Sequence, residues 1–584
     1  MQWILALYFD LTEQLILQYH MKNIIFCMLA SVFVSACNTH QPKQETRTDE
    51  RQSKPNIILI VADDLGYSDI GPFGGEIHTP ALDKLAGEGM IFSNFHVLPT
   101  CSPTRSVLLT GYDNHIAGLG VMGEASYPAL KGLPGYSGHL SDKVVTISEI
   151  LQKNGYHTYM AGKWHLGEEK GQIPSDRGFE ESFALLQGGG SHYADQKPLS
   201  PPQVMDYRVN GKKLAALPAD FYSTRNYTDT IISYIEKNKT DHKPFFIYAS
   251  YTSPHDPLQA PEDYIKKYKG KFNMGWDSLR LLRLSKLKEL GIVPIELKTF
   301  ASSGIPNWET LNARQKEEYA RDMEVYAAMI DYLDMSIGRI NEYLKQQGMY
   351  DNTMILFMSD NGANGVMATT YPGNADGKYL GSFNNSLENR GLPNSFIEMG
   401  PGWAQASSSP FRLFKSFTSE GGIRAPLIIK MPAETKNQGK WNRSFIHVSD
   451  IMPTILSISG ADNSQETNGK AEKQSFGKSI LPLLNGESTA VHSDEGIGWE
   501  LFERKAFIKG NWKILRLAKP FGTGDWQLFN LEKDPGEAED LSRQFPAKRD
   551  SLINDWIKYA KENDVVDHHG YYDSLLLESL NAKH

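Results

Sequence analysis

From Asn56 onward, short apolar runs end repeatedly on polar clusters. Ile57-Ile58-Leu59-Ile60-Val61-Ala62 is continuous and rich in β-branched residues, which predicts a strand buried on both faces; Asp63-Asp64 follow at once. His157–Ala161 predicts a second strand, running into Gly162-Lys163-Trp164-His165. Phe245–Ala249 predicts a third, ahead of a loop ending at Pro254-His255, and Met354–Met358 a fourth, ahead of Ser359-Asp360-Asn361. Helical patterns lie between, at 144–154 and 315–347. The second carries Met323, Ala327, Ile330, Leu333, Ile337 and Ile340 at helical spacing. Strand, polar loop and helix in repetition predict an α/β fold, a large and mainly parallel sheet flanked by helices on both faces. Ligands of such folds bind beyond the carboxyl ends of the strands, and every one of these polar clusters falls there.

After residue 460 the pattern changes. Residues 461–475 are polar, and short strands follow at Lys505–Lys509, Trp512–Leu517 and Trp526–Leu531, then an amphipathic helix near 546–562. This predicts a smaller antiparallel sheet plus helix. The expected organisation is a main domain over 56–460 and a C-terminal subdomain over 461–584, in keeping with a chain of 584 residues. Neither internal repeats nor low-complexity tracts interrupt the folded part.

The N-terminal region reads as an address. Met21-Lys22 opens a short positive region, residues 24–34 are apolar, and Ser35-Ala36-Cys37 follow. Charge, apolar core and small residues are signal-peptide order, so residues 1–36 are expected to be a signal segment and 37–55 a polar tether. Met1–His20 carries Asp10 and Glu13 and does not fit, so Met21 is the expected start. Val34-Ser35-Ala36-Cys37 resembles a bacterial lipoprotein signal. That resemblance implies a lipid anchor on Cys37 and an exported protein, periplasmic or in the outer membrane of a Gram-negative bacterium. An ordinary secreted protein cut near Ala36 is the alternative. The longest apolar runs fall short of the ~20 residues of a membrane span.

Composition narrows the function. The net charge of −9 argues against a dedicated nucleic-acid binder, while leaving an anionic substrate open, because a site's field is local. Three cysteines cannot build a disulfide scaffold. With Cys27 and Cys37 in the signal region, Cys101 is the one thiol of the folded part.

Two constellations carry chemistry. Adjacent carboxylates such as Asp63-Asp64 repel, and burying them is costly without a cation. One such pair is ordinary turn chemistry; a second oxygen-rich pair, Asp360-Asn361, at an equivalent strand exit points to a hard cation, calcium or magnesium rather than zinc. In Cys101-Ser102-Pro103-Thr104-Arg105, Ser102 is expected to cap a helix with Pro103 in its first turn. Cys101 then lies at a positive helix end, with Arg105 one turn on. A buried structural cysteine and a protease-like thiol nucleophile are the competing readings.

The pentapeptide also has the Cys-x-Pro-x-Arg form of the type I sulfatases, in the alkaline phosphatase superfamily. The resemblance extends through Leu109-Thr110-Gly111, Gly162-Lys163-Trp164-His165-Leu166-Gly167, Pro254-His255, Ser359-Asp360-Asn361-Gly362, Lys415 with Gly421-Gly422, and Leu528-Phe529-Asn530-Leu531 leading to Asp534-Pro535-Gly536-Glu537. Asp113-Asn114-His115-Ile116-Ala117-Gly118-Leu119-Gly120 is similar to the bacterial arylsulfatase branch.

The resemblance implies an alkaline-phosphatase-like fold and hydrolysis of sulfate monoesters. It implies a maturation enzyme that oxidises Cys101 to formylglycine, whose hydrate is the nucleophile. It implies one calcium ion held by Asp63, Asp64, Asp360, Asn361 and the group at Cys101. Arg105 and Lys163 are then expected to steady the hydrate and the sulfate charge. His165 takes part in deprotonation, and His255 and Lys415 face the sulfate and the leaving oxygen. His115, His139 and His192 are possible pocket residues outside this set. Tyr193, Tyr251 and Trp403 are expected near the mouth, able to stack on an aryl or sugar ring. The alternatives are a phosphomonoester or phosphonate monoester hydrolase of the same superfamily, and a non-catalytic lipoprotein that binds sulfated glycan.

Overall fold

The computed structural model describes residues 54–300, 304–371, 373–432, 437–461, 476–492 and 495–574. The expected signal segment, Cys37, the tether up to Ser53 and most of the polar 461–475 stretch lie outside the described residues. Among the described residues, no helix is long and apolar enough to cross a membrane.

The strands are β1 (Asn56–Ala62), β2 (Met90–His96), β3 (His157–Lys163), β4 (Glu181–Leu185), β5 (Tyr207–Val209), β6 (Lys212–Lys213), β7 (Phe245–Ser250), β8 (Thr353–Ser359), β9 (Arg424–Lys430), β10 (Lys440–Asn442) and β11 (Ile446–His447). They form one 11-stranded sheet in the order β10-β2-β9-β8-β1-β7-β3-β4-β5-β6, with β11 also on β2. Its centre is parallel: β1 pairs with β7 and β8, and β3 with β7 and β4. Antiparallel neighbours flank it, since β9 runs against both β2 and β8, and β5 against β4. All seven residues of β1 are buried, as its unbroken apolar run demands.

The α-helices of six residues or more among the described residues are α1 (Pro80–Glu88), α2 (Cys101–Thr110), α3 (Ile147–Lys153), α4 (Ser223–Asn238), α5 (Glu262–Lys267), α6 (Gly275–Glu289), α7 (Ala313–Gln346), α8 (Gly400–Ser407), α9 (Ile451–Ser459) and α10 (Pro546–Glu562). One layer groups α1, α4 and α5 on α7; another groups α2, α3 and α9, and both α3 and α4 lie on β3. The long α7 is started by a reciprocal cap in which Asn312 and Gln315 bond each other's backbone N–H.

Four antiparallel strands follow in the order β12 (Gly496–Leu501), β13 (Arg504–Lys509), β14 (Trp512–Arg516) and β15 (Gln527–Asn530). The α10 helix packs on them. Their inward residues, among them Ile497, Trp499 and Leu515, share one continuous hydrophobic core with the large sheet. Trp499 Nε1 donates to the Val97 carbonyl at 2.9 Å.

Register fixes where the polar clusters emerge. Ala62 lies opposite Ser359, Val61 opposite Ser250, and Gly162 opposite Ser250. The residues that follow these strands therefore leave the carboxyl edge side by side.

Candidate active site

Asp63, the first residue beyond β1, meets the last residue of β3. Lys163 Nζ lies 2.8 and 3.0 Å from its two carboxylate oxygens, and both side chains are fully buried. Gly162 makes this approach possible. An added Cβ would sit 1.7 Å from the Ser250 carbonyl oxygen, and its φ of +120° is one that only glycine adopts easily. The strand carries on through Lys163 and ends there, two residues short of His165. A left-handed backbone, φ +56°, turns it to Cys101.

Asp64, at φ +66°, points to the other side. Its carboxylate takes hydrogen bonds from Lys415 Nζ (2.8 Å) and Asn361 Nδ2 (2.6 Å). Asp360 accepts Arg105 through Nε at 3.0 Å and Nη2 at 2.7 Å, a charge-assisted fork. The same guanidinium reaches Asp63 at 3.6 Å, Tyr248, Ser250 and the Lys163 carbonyl. Three buried carboxylates thus interleave with three buried cations. For Asp63, burial alone would raise the carboxyl, yet Lys163, His255 and Arg105 hold it below its ordinary range.

Cys101 begins α2, and the helix starts two residues earlier than expected. Thr100 is its N-cap position, Ser102 lies within the first turn, and no side-chain cap bond forms. Cys101 is a buried free thiol, with Sγ 3.4 Å from His165 Nδ1. Burial pushes the thiol up, but Lys163, His165 and Lys415 outweigh it and bring it below the ordinary cysteine value. On its other nitrogen, His165 Nε2 lies 3.0 Å from Glu124 Oε1. Burial disfavours the imidazolium, yet Glu124 and Cys101 raise His165 to about 9.

Lys415 and His255 close the opposite wall. Their Nζ and Nε2 atoms are 3.2 Å apart, and His255 Nδ1 lies 2.6 Å from the Asp256 carbonyl. That pairing makes Nδ1–H the donor and Nε2 the acceptor. Burial and Lys415 bring His255 down to about 4, so the proton of this pair rests on Lys415. Lys415 is anchored between Leu413 (φ +60°) and Ser416 (φ +73°), with its own N–H on the Ala363 carbonyl. Gly362 lets that loop in, since an added Cβ would sit 1.9 Å from the Gly421 oxygen.

All the expected site residues therefore converge. Potential ligand atoms of Asp63, Cys101 and Asp360 lie within 4.8 Å of one another, as do those of Asp63, Asp64 and His255. Asn361 Oδ1 is buried beside them with no hydrogen-bond partner. Three carboxylates and an unpaired amide oxygen are the donors a calcium ion takes, so the residues fit it.

Some expectations fail. Tyr251 and Trp403 are fully buried: Tyr251 bonds Thr228, and Trp403 packs against Trp276, Trp308 and Phe272. They are core, not mouth. Of the three histidines left outside the set, His115 is gripped by Asp113 and Glu500, and His139 bonds the Leu140 carbonyl. His192 stands behind His255, with Nε2 on its carbonyl at 3.0 Å. Glu124 escaped the sequence reading, because a single acid in a loop carries no pattern.

The Sulfatase family model matches residues 55–461. The chain belongs to the sulfatase family. It is 44% identical over 531 residues to an uncharacterised sulfatase of Schizosaccharomyces pombe, covering 88% of this chain and 94% of that protein. It is 38% identical over 444 residues to an arylsulfatase of Klebsiella aerogenes, covering 76% and 92%. The solved structure of Ps i-CgsB in complex with k-i-k-neocarrahexaose is similar at 25% identity and TM-score 0.63, covering 91% of this chain and 98% of that one. The expectations of family and fold class hold.

Proposed function

We propose that this sulfatase hydrolyses sulfate monoesters of aryl or sugar alcohols through formylglycine at position 101 and one calcium ion. The observation that carries the reading is the convergence of Lys163, Arg105 and Lys415, all buried, on the mouth of Cys101 and the carboxylates. A sulfate ester is an anion that repels nucleophiles, and fixed buried cations offset that repulsion without reorganising. Asp63, Asp64, Asp360 and Asn361 would hold calcium, which would supply further positive charge against the sulfate. Oxidation of Cys101 by a maturation enzyme supplies an aldehyde hydrate as nucleophile. His165, 3.4 Å from the atom at that position, takes its proton, with Glu124 holding the imidazole in place. Lys415 delivers the proton to the leaving oxygen, and His255 accepts hydrogen bonding from Lys415 and orients it. Similarity to the Klebsiella aerogenes arylsulfatase supports an aryl ester; the neocarrahexaose complex of the more distant relative supports a saccharide.

Matured enzyme is expected to release sulfate from 4-nitrophenyl sulfate faster than phosphate from 4-nitrophenyl phosphate. Chelation should abolish that activity and calcium restore it, and peptide mass over residues 97–105 should show CHO in place of CH₂SH. Cys101→Ala should fold and be inactive, since little core is lost at a helix start. Faster phosphate release would move the reading to a phosphoester hydrolase. Full activity with an intact thiol would end it. Export is part of the proposal: Cys37→Ala should shift activity from the membrane to the soluble fraction, and a wild type already soluble would refute the lipid anchor.

A further inference from the structure

On the same carboxyl edge of the sheet as the catalytic residues lies a cavity of about 510 Å³. Its walls are the start of α4, the segment Pro261–Tyr264 and the middle of α7. A helix that runs back into β7 starts at the strands' carboxyl ends, which fixes the side of the sheet. The wall also continues into the site. Tyr193 forms an antiparallel bridge with Tyr222, Ser223 N–H donates to the His192 carbonyl, and His192 Nε2 contacts the His255 carbonyl.

The lining is phenolic. Tyr193 and Tyr222 meet at 5.4 Å between ring centres, Tyr222 and Tyr332 at 5.0 Å, and Tyr332 and Tyr264 at 4.8 Å. Tyr193, Tyr264 and Tyr332 remain half-exposed. Lys267 covers one face of Tyr264, its Nζ 3.4 Å from the ring centre. At the rim, Arg225 pairs with Asp220 at 3.0 Å, and Asp263 stands exposed. Burial raises the phenols of Tyr193, Tyr264 and Tyr332, so they stay protonated and can donate hydrogen bonds.

We propose that this cavity binds a neutral pyranose residue, a glycan subsite separate from the hydrolytic residues. A pyranose has apolar C–H faces and hydroxyl edges. Flat, half-exposed rings suit the faces, and carboxylate and guanidinium at the rim suit adjacent hydroxyls. An isolated ion is a poor fit, because Arg225 and Asp220 already neutralise each other and Lys267 covers Tyr264. The volume lies within the range of small-molecule sites. The inference rests on the sulfate-ester reading only for what the glycan carries at its other end.

The test titrates the full chain, by calorimetry, with neutral gluco-, galacto- and manno-configured hexasaccharides. At least one should bind, and Tyr264→Ala, Tyr332→Ala and Arg225→Gln should each weaken it, the tyrosine variants by about tenfold. Thermal unfolding confirms that each variant is folded. In the same variants 4-nitrophenyl sulfate turnover should be unchanged, while KM for a sulfated hexasaccharide rises and kcat holds. Absence of binding by all three sugars, binding untouched by the variants, or binding of choline instead would overturn the subsite. Failure of the wild type to cleave either sulfated compound would strike the sulfate-ester reading and leave the calorimetric result standing.

Discussion

Asp64 and His165 occupy the left-handed region that non-glycine residues avoid, at a cost of order 1 kcal/mol or more each. The surrounding contacts over-determine both. Asp64 is clamped by Lys415 and Asn361, and His165 lies between Cys101 and Glu124. Strain that is locked in by polar partners is pre-organisation. The Glu124 contact gives a test at this scale. Opposite charge raises His165, and in the proposed role a base works only once it has lost its proton, so activity should climb with pH through the histidine value. In Glu124→Gln the attraction is gone and the imidazole deprotonates more easily. The acidic limb of the kcat profile should move to lower pH by about one unit, at the small end of charge effects because Glu124 is well exposed. An unmoved limb would separate Glu124 from the chemistry.

Among the elements, what was legible in the sequence follows from how each is buried. The central strands announce themselves because a strand covered on both faces needs an unbroken apolar run, and Ile57–Ala62 has one. β9 does not, for Arg424 and Lys430 bracket it and Pro426 interrupts it. A proline in an inner strand needs a bulge to excuse its missing N–H, and β2 provides one, its register shifting between Phe92 and Phe95 opposite that proline. No local pattern foretells such an accommodation, and the antiparallel insertion of β9 went with it. The site residues at strand exits were readable because motif and exit coincide. Glu124 and the tyrosine cavity are assembled by tertiary packing alone. His115 shows the same limit: its motif was visible, its partner Glu500 in β12 was not. That buried histidine, held between Asp113 and Glu500, is raised to about 9 despite burial. A folded-state value above the unfolded 6.5 contributes stability that is complete below about 6.5 and lost as pH rises through 9. At about 1.4 kcal/mol per unit, the contribution is on the order of 3 kcal/mol. His115→Gln should therefore lower the unfolding midpoint clearly at pH 6 and much less at pH 10. A gap independent of pH would show that His115 stabilises by packing rather than by charge.

At the level of the whole molecule, the two sheets behave as one body because charge as well as apolar surface crosses between them. Lys513 of β14 is fully buried, 2.8 Å from Glu420 ahead of β9 and 2.7 Å from Glu537 beyond β15. Burial would raise Glu420, but Lys513, His96 and Arg424 hold it far below the carboxylate range, and His96 Nε2 lies 3.0 Å from it. Glu537 is pushed up instead, by burial and by Glu420, so the lysine serves two acids that repel each other. Removing one member of such a network leaves charge buried without compensation, at a cost of about 3–5 kcal/mol. Lys513→Met keeps the volume and removes the charge with its hydrogen bonds. Because Trp499 and Ile497 belong to the same core as the large sheet, the loss should not be confined to the small one. Calorimetric scanning of the wild type should give a single transition. Lys513→Met should lower its midpoint without splitting it, and sulfate release should disappear together with the fold. Two transitions, the first melting β12–β15 while activity survives, would make the C-terminal sheet an independent unit and the buried network merely local.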